Sequence, residues 1–517
     1  MKLALTSLLL ALITIAFSTV PLPEPGILRT SDGPISGVSD ASGTISIYKG
    51  IPFAAPPVGD LRWKAPQPVH PWDQVRACTT FGPSPMQNNP VPFSMWTEEF
   101  LIAKKPISED CLYLNVWTPA KTAGEKRPVL VWIYGGGFSS GGSSAPIYDG
   151  EAMAKKGIVF VSINYRVGIF GFFAHPELTR ESAHAASGNY GLMDQLAALK
   201  WVHENISVFG GDPEKVTIAG QSAGSMSVNC LQASPLAKGL FIRAIGESGA
   251  VFTKNRSLAG LSGAEKQGMK IARTLGNGSL ASLRKIPAAE LLQKAKGSFS
   301  PVIDGYLLPA SIAEIYASGK QNPVALLTGW NQDEGFLPEV TKNSEDYVNE
   351  VKTTYGAAAK QFLSFYPGET DAAAAVSQLK ISRDLIFGVQ NYAWANEESR
   401  QNKNAVYVYR FIRKPPATGE YVKYGAFHTG EVPYAYDNLK FVNRPWETTD
   451  HQLAKTMSSF WANFISTGNP NGPGLPEWPV YNRETKQIMA LNENPAAEEM
   501  PDYKALDFMY EKMNGEK

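Results

Sequence analysis

The run Lys215-Val-Thr-Ile-Ala-Gly-Gln-Ser-Ala-Gly224 constrains the fold more tightly than any other stretch of the chain. Val216 to Ala219 is β-branched and apolar, the chain breaks at Gly220, and the small residues from Ala223 onward tolerate a helix. A strand must therefore turn into a helix within a few residues, with Ser222 at the corner. In such a Gly-x-Ser-x-Gly corner the serine holds a strained backbone conformation, and the flanking glycines remove the Cβ atoms that would clash. The hydroxyl is then presented above the sheet, beside the N–H donors and positive dipole end of the next helix. That geometry suits attack on a carbonyl carbon. A five-residue motif is common by chance in a chain with 46 glycines. Context supports this one, because a strand precedes it and Ser225 to Leu231 reads as a buried helix.

The remaining pattern agrees with that corner. Thr44 to Tyr48 alternates as a half-buried antiparallel strand does, and then runs into Gly50–Gly59, too rich in proline for regular structure. Leu112–Trp117, Val129–Tyr134, Ile158–Tyr165, Val324–Thr328 and Ala405–Phe411 read as strands, the second as a fully buried central one. Between them lies a helix over Gly191–Asn205, with Leu192, Leu196, Leu199 and Val202 on one face, and a later helix spans Gln452–Ile465. Strands alternating with helices imply an α/β fold, a large and mostly parallel central sheet flanked by helices. A length of 517 residues suits one large enzyme domain over residues 21–517.

Residues 1–20 read as a secretory signal: Lys2, the apolar run Leu3–Phe17, then small residues. The run is too short for a convincing membrane anchor, and the polar C-terminus lacks a GPI tail and a retention tetrapeptide. The expected protein is secreted, extracellular or periplasmic. Lysine plus arginine and aspartate plus glutamate are equal at 48 each, which offers no electrostatic argument for nucleic acid or an anionic membrane. Of three cysteines, Cys230 lies in the apolar helix behind the corner and reads as a buried hydrophobe. Cys78 and Cys111 lie in loop-rich sequence and are expected to pair, a closure worth about 3–4 kcal/mol in the chain-entropy view. Asn205, Asn255 and Asn277 each head an Asn-x-Ser sequon.

A second chemical stretch, Tyr134-Gly-Gly-Gly-Phe138, ends a strongly apolar strand. Its glycines expose backbone N–H groups, which is what stabilising an oxyanion requires, so Gly136, Gly137 and the N–H of Ala223 could form a three-donor hole. A serine nucleophile also needs a base. Only His428 and His451 follow Ser222; His451 sits at a helix entry, whereas His428 lies in Tyr424–Glu431, an irregular segment after a strand. His70, His175, His184 and His203 read as structural or surface. For the acid, the loop Gly329–Gly335 offers Asp333 and Glu334, between which position alone does not choose. Asp304 reads better as a turn residue. No metal or cofactor is expected, since the histidines are scattered and no His-x-x-x-His or Cys-x-x-Cys pair occurs.

These stretches, with Gly50–Phe53, Pro56–Gly59, Ser108–Asn115, Asn164–Gly168 and Phe209–Pro213, resemble in order the type-B carboxylesterase and cholinesterase-like family of α/β-hydrolases. The resemblance spans most of the chain. It implies Glu334 as the acid in a Ser222–Glu334–His428 triad, and again a Cys78–Cys111 disulfide. It also implies ion pairs Arg62–Glu109 and Arg166–Asp194, with Ser248 a hydroxyl near the acid and helices between Tyr347 and Glu398 overhanging the site. The implied substrate is a small-molecule ester carrying a short to medium acyl or aryl group. Trp96, Phe138 and Gln221 are the candidate pocket residues. Gln221 stands where cholinesterases carry glutamate, and Trp96 is displaced from their choline-facing tryptophan, so a choline specialist is not expected. The rivals are a lipase acting on longer chains and a catalytically silent adhesion protein. Activity is expected to fall as pH drops through roughly 6 to 7, where an ordinary imidazole protonates.

Overall fold

The computed structural model describes residues 25–252, 258–276, 278–336, 341–401 and 404–514. The expected leader and the sequons at Asn255 and Asn277 lie outside them. Eleven strands form the main sheet: β1 Val38–Ser39, β2 Ser46–Pro52, β3 Tyr113–Thr118, β4 Arg127–Ile133, β5 Val159–Ile163, β6 Gly211–Gln221, β7 Arg243–Glu247, β8 Ala325–Asn331, β9 Val406–Phe411, β10 Gln487–Leu491 and β11 Ala496–Glu499. In space they run β11-β10-β9-β8-β7-β6-β4-β5-β3-β2-β1. Every pairing from β10 to β5 is parallel, and antiparallel pairs close both edges.

The parallel strands are apolar throughout because both faces are covered. Val129 to Ile133 of β4 are all at most 1% exposed. The layers can be read from β7. A Cβ at Gly246 would meet Trp394 of helix Val389–Gln401 and Ser225 of helix Ala223–Ala233, while the next side chain, Glu247, accepts from Trp461 of helix Thr448–Thr467. Consecutive strand residues point to opposite faces, so the first two helices cover one face and the third covers the other.

Register carries the consequence for function. Gln221 of β6 pairs with Glu247 of β7, Glu247 with Gly329 of β8, and Gly329 with Tyr409 of β9. The carboxyl ends of these strands are therefore level, and the loops that leave them converge on one edge of the sheet, where α/β enzymes place their chemistry.

Two expectations are corrected. Strand β2 continues through Gly50 to Pro52 with a register shift between Tyr48 and Ile51, so proline at an irregular edge does not end the strand. The Cys78–Cys111 disulfide is absent, and all three cysteines are free and buried. Its absence follows from the strand register. The Lys49 N–H donates to Cys78 O, whereas the Phe53 N–H donates to Leu112 O. Cys78 is thus anchored at the bulge of β2 and Cys111 beside the far end of that strand, and their thiols do not meet. The two ion pairs are present and bidentate. Arg62 holds Glu109 through two contacts of 2.6 Å, and Arg166 holds the buried Asp194 at 2.7 and 2.8 Å. Asn205 is buried, accepts from the Ser31 N–H and donates to Trp201 O, so its sequon is closed to modification in the folded protein.

Candidate active site

Ser222 sits between β6 and the helix Ala223–Ala233 with φ 58° and ψ −125°, a region that costs a non-glycine residue on the order of 1–3 kcal/mol. The surroundings force it. A Cβ at Gly220 would lie 2.5 Å from Gly224 C, and one at Gly224 would lie 2.0 Å from Ile133 O, so the corner is wedged against the end of β4. The Ser222 N–H donates to Glu247 O at 2.8 Å, and the Met226 N–H donates to Ser222 O at 2.9 Å. Those bonds hold the corner and leave the hydroxyl to the cavity.

His428 and Glu334 come from the loops after β9 and β8. Glu334 Oε2 lies 2.8 Å from His428 Nδ1, and both side chains are buried. Of the two acids in that loop, only Glu334 faces the imidazole. Asp333 Oδ2 accepts from the Ala426 N–H at 2.9 Å and pins the histidine loop from below. Glu334 Oε1 accepts from the Asn331 N–H at 2.8 Å. Burial pushes the Glu334 carboxyl up to about 8, opposed by that N–H, the Ser248 hydroxyl, Arg383 and Arg410. Burial likewise holds His428 down to about 4, with Glu431 acting in the other direction. Desolvation of both partners is the cause, and it disfavours a carboxylate–imidazolium ion pair between them in the resting enzyme. Glu431, bonded to Asn331 Nδ2, and Glu247, bonded to Tyr436 and Trp461, are two further buried carboxyls behind it, pushed up to about 7 and about 8 by the same burial.

Ser222 Oγ makes no hydrogen bond to the imidazole. The polar group on the ring is the Gln221 amide, whose Nε2 lies 3.1 Å from Nε2 and 3.3 Å from Nδ1. The two ring nitrogens flank one carbon, so an atom nearly equidistant from both at this range must sit over the ring and not in its plane. Gln221 therefore packs on the imidazole without occupying the in-plane lone pair of Nε2.

A cavity of about 550 Å³ opens above Ser222 and reaches His428, Gln221 and the glycine loop Gly135–Gly137. Trp96, Phe93, Phe100 and Phe336 form its aromatic wall, and Asn88, Asn89 and Ser140 its polar side. Among the described residues no Asp, Glu, Lys or Arg lines it. Trp96 is held in place by its indole N–H, which donates to Thr429 Oγ1 at 3.2 Å. Phe138 is a correction, for its ring is buried against Phe172 at 5.1 Å and lines no part of the cavity. A large apolar side chain next to a glycine loop is better placed in the core than over a polar hole. The other histidines lie elsewhere: His175 caps a helix through the Glu177 N–H, His184 stacks on Tyr306, and His451 is exposed in a first turn. Asp304 Oδ1 accepts from the Tyr306 and Leu308 N–H groups, as a turn residue does. Sequence reasoning missed Phe336 and Phe387, whose rings meet His428 at 5.3 and 4.4 Å. Neither belongs to a periodic pattern that points at the site.

A strained serine at a strand-to-helix corner, with a histidine and an acid from the next parallel strands, defines an α/β-hydrolase. The family-level comparison narrows it: the sequence profile of the Carboxylesterase family matches residues 24–509, and the chain belongs to that family. It is 36% identical over 503 residues to the para-nitrobenzyl esterase of Bacillus subtilis, covering 92% of this chain and 96% of that one. It is also 36% identical over 486 residues to the fumonisin B1 esterase of Sphingopyxis macrogoltabida, covering 89% and 85%. A similar match, 35% over 515 residues, is made to a liver carboxylesterase of Sus scrofa. A solved PNB esterase superposes with a TM-score of 0.80 at 34% identity, covering 93% of this chain and 98% of its own. The protein is a carboxylic ester hydrolase, which sets aside the silent adhesion protein.

Proposed function

We propose that this protein hydrolyses neutral esters with short to medium acyl or aryl groups by an acyl-enzyme route. The observation that carries the reading is the buried His428–Glu334 contact of 2.8 Å at a cavity whose described lining holds no Asp, Glu, Lys or Arg. Ser222 Oγ attacks the carbonyl carbon as His428 Nε2 takes its proton, and the hydrogen bond between them forms as substrate is bound, since such contacts tighten in the Michaelis complex. The N–H groups of Gly136, Gly137 and Ala223 hold the tetrahedral oxyanion. His428 then protonates the departing alkoxide, which leaves as alcohol and leaves the acyl group on Ser222. Water repeats the sequence and frees the acid. Glu334 holds the Nδ1 proton and so keeps Nε2 basic. In this reading the leader directs the protein out of the cell.

A chain-length series of p-nitrophenyl esters from acetate to palmitate tests the proposal. The expected optimum lies at acetate to octanoate, with no rise in rate above the substrate's solubility limit. A preference for palmitate, or a jump at that limit, would establish the lipase instead.

Burial also revises the expected pH dependence. His428 must be neutral to act as a base, and its folded value is depressed below 6.5. Activity is therefore present above that depressed value and lost only as pH falls through it, with the limb moving below pH 6 toward about 4. A kcat/KM profile on p-nitrophenyl butyrate between pH 4 and 8 measures this; an acidic limb at 6.5 or above would refute the desolvated histidine.

A further inference from the structure

We propose that Phe387 is a positioning residue for the catalytic base, delivered to His428 by a π-helical turn; the inference rests on the role assigned to His428 above. Helices Asp371–Arg383 and Val389–Gln401 are joined without a break through the π-helical turn Asp384–Gly388, where the Val389 N–H returns to Asp384 O in an i to i+5 bond. Single π-turns of this kind are rare and concentrate at functional sites, because the extra residue rotates the following side chains onto a new face. Here that rotation sends Phe387 inward. Its ring is 1% exposed and stacks on the imidazole, with centroids 4.4 Å apart and planes 17° apart. Among the described residues Phe336 and Trp96 also meet His428, but both edge-on, at 78° and 87°.

The turn is braced to the same loop that carries the acid. Buried Asp384 accepts from Arg383 at 2.6 and 2.9 Å and from the Tyr366 hydroxyl at 2.9 Å. Arg383 in turn donates to Gln332 O at 3.2 Å and to Asp502 at 2.8 Å. A Cβ at Gly335, next to Glu334, would lie 2.5 Å from Leu379 O, so the acid loop packs directly on the helix that feeds the turn. The hydrogen bond from Nδ1 to Glu334 and the Gln221 amide over one face leave the opposite face of the imidazole to be held. The Phe387 ring stacked on that face completes the clamp and keeps Nε2 aimed toward Ser222. The same face carries negative π density toward the imidazolium that forms when Ser222 loses its proton. Phe387 does not line the cavity, so it acts through His428 and not on the substrate.

That separation sets the test. Phe387→Leu keeps bulk and burial and removes the π face. The expected result is a kcat lowered 10- to 50-fold on p-nitrophenyl butyrate with KM within 2-fold, while Phe387→Tyr, which restores a ring, stays within 3-fold of wild type. Phe387→Ala opens the ring face to water and moves the acidic limb of kcat/KM upward. Thermal melts of all three confirm that they are folded. A folded Phe387→Leu with wild-type kcat, or a loss that appears equally in KM and is not restored by tyrosine, overturns the proposal. Wild-type activity that survives Ser222→Ala would instead overturn the triad on which it rests.

Discussion

Replacing Ser222 with alanine lowers kcat on p-nitrophenyl butyrate by roughly 10⁵- to 10⁶-fold, the scale seen when a triad nucleophile is removed, and leaves the melting temperature within about 2 °C. The second half follows from the bonding of the corner. What holds the corner is backbone: the Ser222 N–H to Glu247 O, the Met226 N–H to Ser222 O, and the wedge of Gly224 against Ile133. The hydroxyl contributes no hydrogen bond to this scaffold, so its removal costs chemistry and no structure. The backbone strain at φ 58° is unchanged in the variant. Activity above about 1% of wild type in a folded Ser222→Ala protein, with contaminating esterase excluded by an inactivated control, would show that another group is the nucleophile.

The second large effect comes from the glycine loop, and it discriminates between adjacent positions. Gly136 has φ 111°, and a Cβ there would lie 2.2 Å from Ser140 O. The loop is closed on itself at that point, since the Ser139 and Ser140 N–H groups both donate to Gly136 O. Gly136→Ala must therefore push the Ser140 carbonyl away and open the turn that, in the proposed mechanism, aims the N–H groups at the oxyanion. Loss of one such donor costs about 10²- to 10³-fold in kcat, and displacement of the loop reaches that or more. Gly137 also has a positive φ, 61°, yet nothing lies within 4 Å of a Cβ built there. Gly137→Ala keeps its N–H in place at the cost of local strain, roughly 1 kcal/mol, and stays within about 10-fold of wild type. Turnover rates of the two variants, compared at matched circular dichroism, decide the matter; equal losses would mean that the loop responds to added bulk and not to the closed turn at Gly136.

Much of the architecture was legible before the fold was known, because it depends on short-range chemistry. Runs such as Val129–Ile133 have nowhere to go but a sheet covered on both faces, and Gly220-x-Ser222-x-Gly224 after a strand leaves one geometry open. The order of serine, acid and histidine along the chain follows from the order in which the strands end. The choice between Asp333 and Glu334 was of another kind. They are adjacent, chemically alike and on one loop, and only the resemblance to relatives separated them. The fold separates them physically, sending one carboxylate to the Ala426 N–H and the other to His428 Nδ1.

Three features lay wholly beyond the sequence. Cys78 and Cys111 look like partners along the chain, but the fold anchors them at different points along β2 and both thiols stay free. Phe138 follows the glycine loop and turns into the core. Phe387 gains its place against His428 from one extra residue in a helical turn, together with an arginine that reaches the acid's own loop. The chain by itself determined which segments become strands, where the strained serine of the strand-to-helix corner stands and which groups could take part, since those depend on side-chain type and near neighbours. Which carboxylate meets the imidazole, how dry that contact is and what lies on the ring's face were decided by tertiary structure, because strand register and burial are set by residues hundreds of positions apart.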